Sequence, residues 1–259
     1  MSPQAHFPTL LHLEASEVIN EYFIRVPCVD TVLVVNSCAR GCAVPESDLD
    51  LAILVKHDTK RDEILYIENS WETYSRTHPT LIKYKQSSQF ADLHLDIIDG
   101  LYKPMDMGNG EPIDYFEIEI GNQICYSAPM GGAGPYFQEL QRKWLPYYRE
   151  DLRRQRLQMV KESCSYDLDH IPLFIERELY FQAFDILYKA FQEYLQALFI
   201  ANRIYPIAYN KWLKQQVVTI LNRPDLYNQL PGILSISKFE SDEINTKAKS
   251  LQGLLNDLL

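Results

Sequence analysis

The chain has 259 residues, of which 46% are hydrophobic and 23% charged, enough for a full core in one large domain or two ordinary ones and too apolar for wholesale disorder. Its formal net charge of −10, without a Lys/Arg block, argues against a nucleic-acid partner and suits cationic small molecules. Five cysteines at irregular spacings make no disulfide framework. Cys38 and Cys42 lack the second Cys/His pair a zinc site would need, so reduced thiols in a cytoplasmic protein are expected.

The amino terminus, MSPQAHFPTL, has neither the charged region nor the apolar run of a signal peptide, and no apolar stretch of about 18 residues predicts a membrane span. Residues 9–25 carry apolar positions at helical spacing and predict a first helix ended by Pro27. Residues 30–36, DTVLVVN, are β-branched and continuous, the pattern of a buried strand. After a loop of small residues, Leu49–Val55 predict a second strand, residues 58–77 a charged helix, and residues 91–98, ADLHLDII, a third strand. MGNGEP at 107–112 reads as a turn cluster, 114–127 as two short strands joined through Gly121 and Asn122, and PMGGAGP at 129–135 as a linker. Beyond the linker, residues 136–163, 171–203, 208–222 and 239–258 predict the four helices of a bundle. The chain thus divides into an α/β domain over 1–130 and an all-α domain over 135–259, with no internal repeat.

Residues 34–51, VVNSCARGCAVPESDLDL, place two aspartates just after a turn of small residues. Alternation along a strand puts Asp48 and Asp50 on one face, and Leu49, Leu51, Ile53 and Val55 on the other. Two neighbouring carboxylates repel unless a cation lies between them, and oxygen ligands favour a hard ion such as Mg²⁺. In the third strand Leu93, Leu95 and Ile97 share one face, and Asp92, His94 and Asp96 the other. If the two strands are neighbours, Asp96 joins Asp48 and Asp50, and three carboxylates can hold one or two Mg²⁺ ions. An isolated Asp-x-Asp is more often plain strand-edge charge; the turn before it changes the balance. Residues 36–41 expose backbone N–H groups where a helix begins, with the Ser37 hydroxyl and the Arg40 cation beside them, which suits a phosphate. His94 shares the face of Asp96, either as a hydrogen-bonding partner or in contact with metal or substrate. Trp144, Tyr147 and Tyr148 suit a nucleobase pocket or, at helical spacing, a core.

The stretch N-S-C-A-R-G-x5-S-D-L-D-L resembles the G-S-x-A-R-G-x(n)-S-D-h-D-h signature of the polymerase-β-type nucleotidyltransferases, and Asp96 in LHLDII is similar to that family's third carboxylate. The resemblance extends as far as the third strand. A small domain of this kind followed by a helical bundle is similar to the antibiotic nucleotidyltransferases that adenylylate aminoglycosides or lincosamides. The resemblance implies an α+β fold, a mixed-sheet nucleotidyltransferase domain followed by an all-α bundle. It implies Mg²⁺ held by Asp48, Asp50 and Asp96, with ATP or another nucleoside triphosphate on the loop of Asn36, Ser37, Arg40, Gly41 and Ser47. Lys211, near a predicted helix start, could reach the triphosphate, although a solvated lysine at a helix end is the more common role for such a residue. A hydroxyl of a small acceptor, aminoglycoside-like in keeping with the acidic surface, would attack the α-phosphorus and release pyrophosphate, its proton passing to Asp96. The expected assembly is a monomer or homodimer. One position departs from the signature: Asn36 stands where the family has glycine, and Asn is the residue next most tolerant of a positive φ. The alternatives are a nucleotide-binding regulatory or antitoxin-like protein acting through a partner, and nucleotidyl transfer to a protein. The 171–203 helix lacks the Arg and His about five residues apart that a toxin-type helical ribonuclease would need.

Overall fold

The computed structural model describes residues 4–105 and 111–258. The chain forms two compact units, one from residues up to 102 together with 119–145, the other from 103–118 together with 146 onward. The predicted turn at 107–112 falls largely on residues 107–110, outside the described residues; Glu111 and Pro112 are exposed and irregular.

In the first unit, helix α1 (Leu10–Phe23) begins where Thr9 accepts a hydrogen bond from the His12 backbone N–H, and it buries Ala15, Ile19 and Phe23 at four-residue spacing. Strand β1 (Val29–Val34) leads into a single helical turn, α2 (Asn36–Ala39), and strand β2 (Leu49–Val55) follows. A charged helix is found as expected, α3 (Arg61–Thr77), but a second one, α4 (Pro79–Lys85), was not foreseen. The residue before a proline is pushed out of the helical region, and His78 is accordingly extended, while Pro79 serves as the first residue of a new helix. Strand β3 (Leu93–Ile98) completes the part read from the sequence as strand, turn, strand, helix, strand.

The 114–127 region corrects the expected pair of strands. It is a short helix, α5 (Phe116–Ile120), continuing into a π-helical turn over Gly121–Cys125. Phe116, Ile120 and Ile124 are buried at four-residue spacing, and the Asp114 carboxylate accepts from the Phe116 N–H at 2.9 Å, so a period near four overrides the local alternation of DYFEIEI. The glycine-rich run begins as strand β4 (Ala128–Met130), paired antiparallel with β1. Gly131 and Gly132 turn the chain at φ +69° and +113°, and helix α6 (Pro135–Trp144) follows. Asp30 lies at a bulge in β1 and caps α6: its carboxylate accepts from Tyr136 and Phe137 N–H, each at 3.0 Å. This run therefore lies within the first unit.

The sheet is mixed, in the order β3-β2-β1-β4, with β2 and β3 parallel and the other pairs antiparallel. The α+β character expected of the chain is present. One core joins α1 to one side of the sheet through Ile19, Phe23, Val32, Val34, Leu49, Leu51 and Ile53.

The predicted helix over 136–163 is two helices, because Pro146 ends the pattern between α6 and α7 (Glu150–Glu176). The next helix starts later than expected, as α8 (Tyr180–Ala201), after Glu178 reverses the chain at φ +57°. The helix expected over 208–222 shrinks to a π-helical turn, Gln215–Ile220. The buried Gln216 side chain occupies the backbone groups before it, accepting from Ile207 N–H at 2.6 Å and donating to the carbonyls of Ala208 and Lys211 at 2.8 and 3.0 Å, which keeps 207–211 irregular. Helix α9 (Pro224–Leu234) was not predicted, and α10 (Glu243–Asn256) lies inside the last predicted helix. In the second unit, Val160, Cys164 and Ile171 of α7 pack with Leu187, Phe191 and Leu198 of α8 and with Ile244 and Leu251 of α10 in one core. No described helix is long and apolar enough to cross a membrane, and all five cysteines are free thiols.

Candidate functional site

The predicted site is built at one end of β1 and β2. As β1 ends, Val35 N–H donates to the Asp50 carbonyl at 3.1 Å, which places the Asn36 turn against the entrance of β2. Asn36 has φ +53°, in the left-handed region, so this backbone makes the demand glycine would meet and Asn meets it. Arg40 N–H returns to the Asn36 carbonyl at 3.2 Å and Cys42 N–H to the Ser37 carbonyl at 2.9 Å, closing the turn, and Gly41 follows at φ +69°. Cys38 is buried, and burial first, then the charge of Asp50, pushes its thiol up to about 12. It is a packing residue rather than a nucleophile. Arg40 is partly buried; burial lowers its pKa against the opposing charges of Cys42, Tyr126 and Asp50.

The backbone just before Asp48 is held by two residues not anticipated from the sequence. The Ser47 carbonyl accepts from His12 Nε2 and from Tyr84 Oη, each at 3.0 Å. The two buried rings meet edge to face, with centroids 5.0 Å apart. His12 Nδ1 is 2.8 Å from the Thr9 hydroxyl; with Nε2 donating, it is the acceptor of that pair. The Ser47 hydroxyl accepts from Val44 N–H at 3.0 Å and so shapes the loop. The available signal was a histidine on the apolar face of α1.

The parallel register of β2 and β3 pairs Leu49 with Leu93, Asp50 with His94, and Ala52 with Asp96. Asp48, Asp50 and Asp96 therefore share one face, with His94 directly beside Asp50 and Asp96 one pleat further along. His94 Nε2 lies 3.4 Å from Asp48 Oδ2, and both side chains are exposed to solvent. Asp92, also on this face, is engaged by its neighbours: Leu93 N–H and Lys85 Nζ, at 2.8 and 3.1 Å, lower its pKa, the backbone bond most. Ala52 and Leu54, on the same side as Asp50, are buried, so the open face is confined to the entrance of β2.

Three carboxylates on one face are the donor type a hard divalent cation takes. Among the described residues, however, no three His, Cys, Asp or Glu side chains are gathered round one point. The fit is thus one of chemistry and face, and the side chains themselves stand apart.

Lys211 belongs to the second unit, exposed, in the irregular segment before the π-helical turn, and its carbonyl accepts from the Gln216 side chain at 3.0 Å. Trp144 and Tyr148 are buried. Tyr148 donates to Glu117 Oε1 at 2.8 Å and stacks on Tyr147, with ring centroids 4.3 Å apart.

No protein-family model matches this chain, and no curated protein matches it in sequence.

Proposed function

We propose that the first unit is the catalytic domain of a divalent-metal-dependent nucleotidyltransferase, which moves a nucleoside monophosphate, AMP if the donor is ATP, onto a hydroxyl of a small acceptor. The observation that carries this reading is the pairing of β2 with β3, which sets Asp48, Asp50 and Asp96 on one open face next to the left-handed turn at Asn36. The signature resemblance supports it from the sequence side.

Asp48, Asp50 and Asp96 would hold the cation, whose charge, when bound, stabilises the attacking and leaving oxygens. The Asn36–Ala39 turn offers backbone N–H groups and the Ser37 hydroxyl to the phosphates, and the Arg40 cation stands close to them. The Gly41 and Ser47 loop fixes the path from this turn to the carboxylates. The acceptor oxygen bonds to the α-phosphorus, the bond to the bridging oxygen breaks, pyrophosphate departs, and Asp96 takes the hydroxyl proton. The His12 and Tyr84 bonds to the Ser47 carbonyl keep Asp48 in position.

The test is pyrophosphate release from labelled ATP with Mg²⁺ or Mn²⁺ and a panel of hydroxylated cationic acceptors. Asp50→Asn is expected to lose about 100-fold or more in turnover with an unchanged circular dichroism spectrum. Wild-type turnover by that variant, or no nucleotide binding by the native chain in calorimetry, would refute the assignment.

A further inference from the structure

The first unit carries a second concavity, on the side of the sheet opposite Asp48 and Asp50. Helices α1 and α3 both pack there, through Ile19, Phe23 and Ile67. Where α1 ends, the turn through Val26 and Pro27 leaves two adjoining cavities against α3, of about 340 and 330 Å³. Val26, Pro27, Tyr66 and Ile67 line both, so the two form one groove. Its size is that of a small-molecule site, about 300–1,000 Å³.

Two observations give the groove a chemistry. The first is aromatic. Three phenol rings, Tyr22, Tyr66 and Tyr74, line the first cavity. The Tyr22 and Tyr74 rings lie 4.5 Å apart at a tilt of 32°, and Trp71 braces Tyr22 from 5.4 Å. Tyr66 projects from α3 with 74% of its surface exposed. The face of such a ring is electron-rich and attracts an ammonium or guanidinium within about 6 Å.

The second observation is charge. Glu21 lines the first cavity, and Asp62 and Glu63 line the second. Against these three carboxylates the described lining sets one cation, Arg25. Lys56, close by, donates to the Pro27 carbonyl. Glu21 and Asp62 enter no ion pair with a described residue. Helix α1 has no basic residue in its last turn, so the negative end of its dipole adds to the same potential. The Glu63 charge reaches the cavity wall: burial first, and then Glu63, raises the Cys28 thiol.

We infer that this groove binds a small organic cation, an ammonium with apolar substituents, its charge over the phenol rings beside Glu21 and its apolar part on Val26, Pro27 and Ile67. A cation here lies across the sheet from Asp48, Asp50 and Asp96, so its binding does not depend on the nucleotidyltransferase reading.

The experiment records amide proton–nitrogen correlation spectra of the full chain titrated with choline. A parallel titration uses the neutral isostere of choline, in which a tert-butyl group replaces the trimethylammonium. Choline is expected to saturate in the millimolar range and to move resonances of residues 21–28 and 62–74. The neutral isostere is expected to bind about 10-fold more weakly. Tyr66→Ala, at an exposed position, is expected to weaken choline about 5-fold, and Glu21→Gln about 2- to 5-fold, each with the circular dichroism of the wild type. Equal affinity for choline and its isostere overturns the cation chemistry. Choline shifts confined to other residues, or wild-type affinity in both variants, overturns the groove as the site. No saturable shift up to about 50 mM choline overturns the inference altogether.

Discussion

At the scale of single residues, the most informative position is Asn36. A left-handed backbone costs an ordinary L-residue about 1–2 kcal/mol, because Cβ crowds the following carbonyl, and Asn and Gly are the residues that tolerate it. With φ at +53°, Asn36→Gly should leave stability within about 0.5 kcal/mol of wild type, while Asn36→Val should lose about 1–2 kcal/mol in urea unfolding. Glycine also removes a side chain from the proposed phosphate turn, so ATP affinity in Asn36→Gly should equal or exceed that of the native chain. Comparable destabilisation by Gly and Val would mean that the Asn side chain, rather than the backbone, is what this turn needs.

Between elements, two polar contacts set stability. Asp30 caps α6 from the bulge of β1, and Gly134 permits the approach: a Cβ there would stand 2.4 Å from the Asp30 carbonyl oxygen. Removing a cap of this type costs about 1–2 kcal/mol. Asp30→Ala should lose that much in chemical denaturation, and Asp30→Asn, which keeps one acceptor, less. The α7–α8 interface holds a second feature. Glu193 is fully buried, accepts from the Ser163 hydroxyl at 2.9 Å and shares Lys189 with Asp167. Burial first, and then the Asp167 charge, raises the Glu193 carboxyl from 4.5 to about 7. A raised carboxyl binds its proton more tightly in the folded state, so its contribution is fully present below about pH 4.5 and is lost as pH rises through about 7. Thermal unfolding should therefore show Tm falling between pH 5 and pH 8, and Glu193→Gln should flatten that decline. An unchanged pH slope in the variant would place the proton elsewhere.

On the scale of the whole molecule, the chain leaves and re-enters each unit. Residues 103–118 belong with the helices from 146 onward, and a buried ion cluster fastens them there. Arg156 of α7 is paired with Glu117 at 2.6 and 2.8 Å and with Asp114 at 2.8 Å, and Gln196 of α8 donates to Glu117 at 3.0 Å. Breaking a buried pair leaves an uncompensated charge and costs about 3–5 kcal/mol, whereas replacing every partner with apolar groups is often neutral. Arg156→Met should cost that amount in equilibrium unfolding. The combined replacement of Arg156, Asp114 and Glu117 with apolar residues of similar size should recover most of it. A small effect of Arg156→Met would show that the segment is held by packing alone.

The parts of this protein that short-range chemistry controls were legible in its residues. β2 coincides with its predicted bounds, the small-residue turn at 36–41 is where expected, and alternation placed Asp48 and Asp50 together and Asp96 with His94. Each of these follows from neighbours one to four residues apart. Where local patterns compete, tertiary contacts decided the outcome. DYFEIEI alternates like a strand, yet it became helical because its apolar residues are buried at a period of four and Asp114 caps its start. Residues 208–222 are periodic like a helix, but the Gln216 side chain took the backbone groups of the segment before it. The register of β2 against β3, the clamp on Ser47 from His12 and Tyr84, and the burial of Glu117 and Glu193 join residues about 30 or more positions apart. Their energies depend on which surfaces exclude water together, a property of the folded chain that no local stretch of sequence carries.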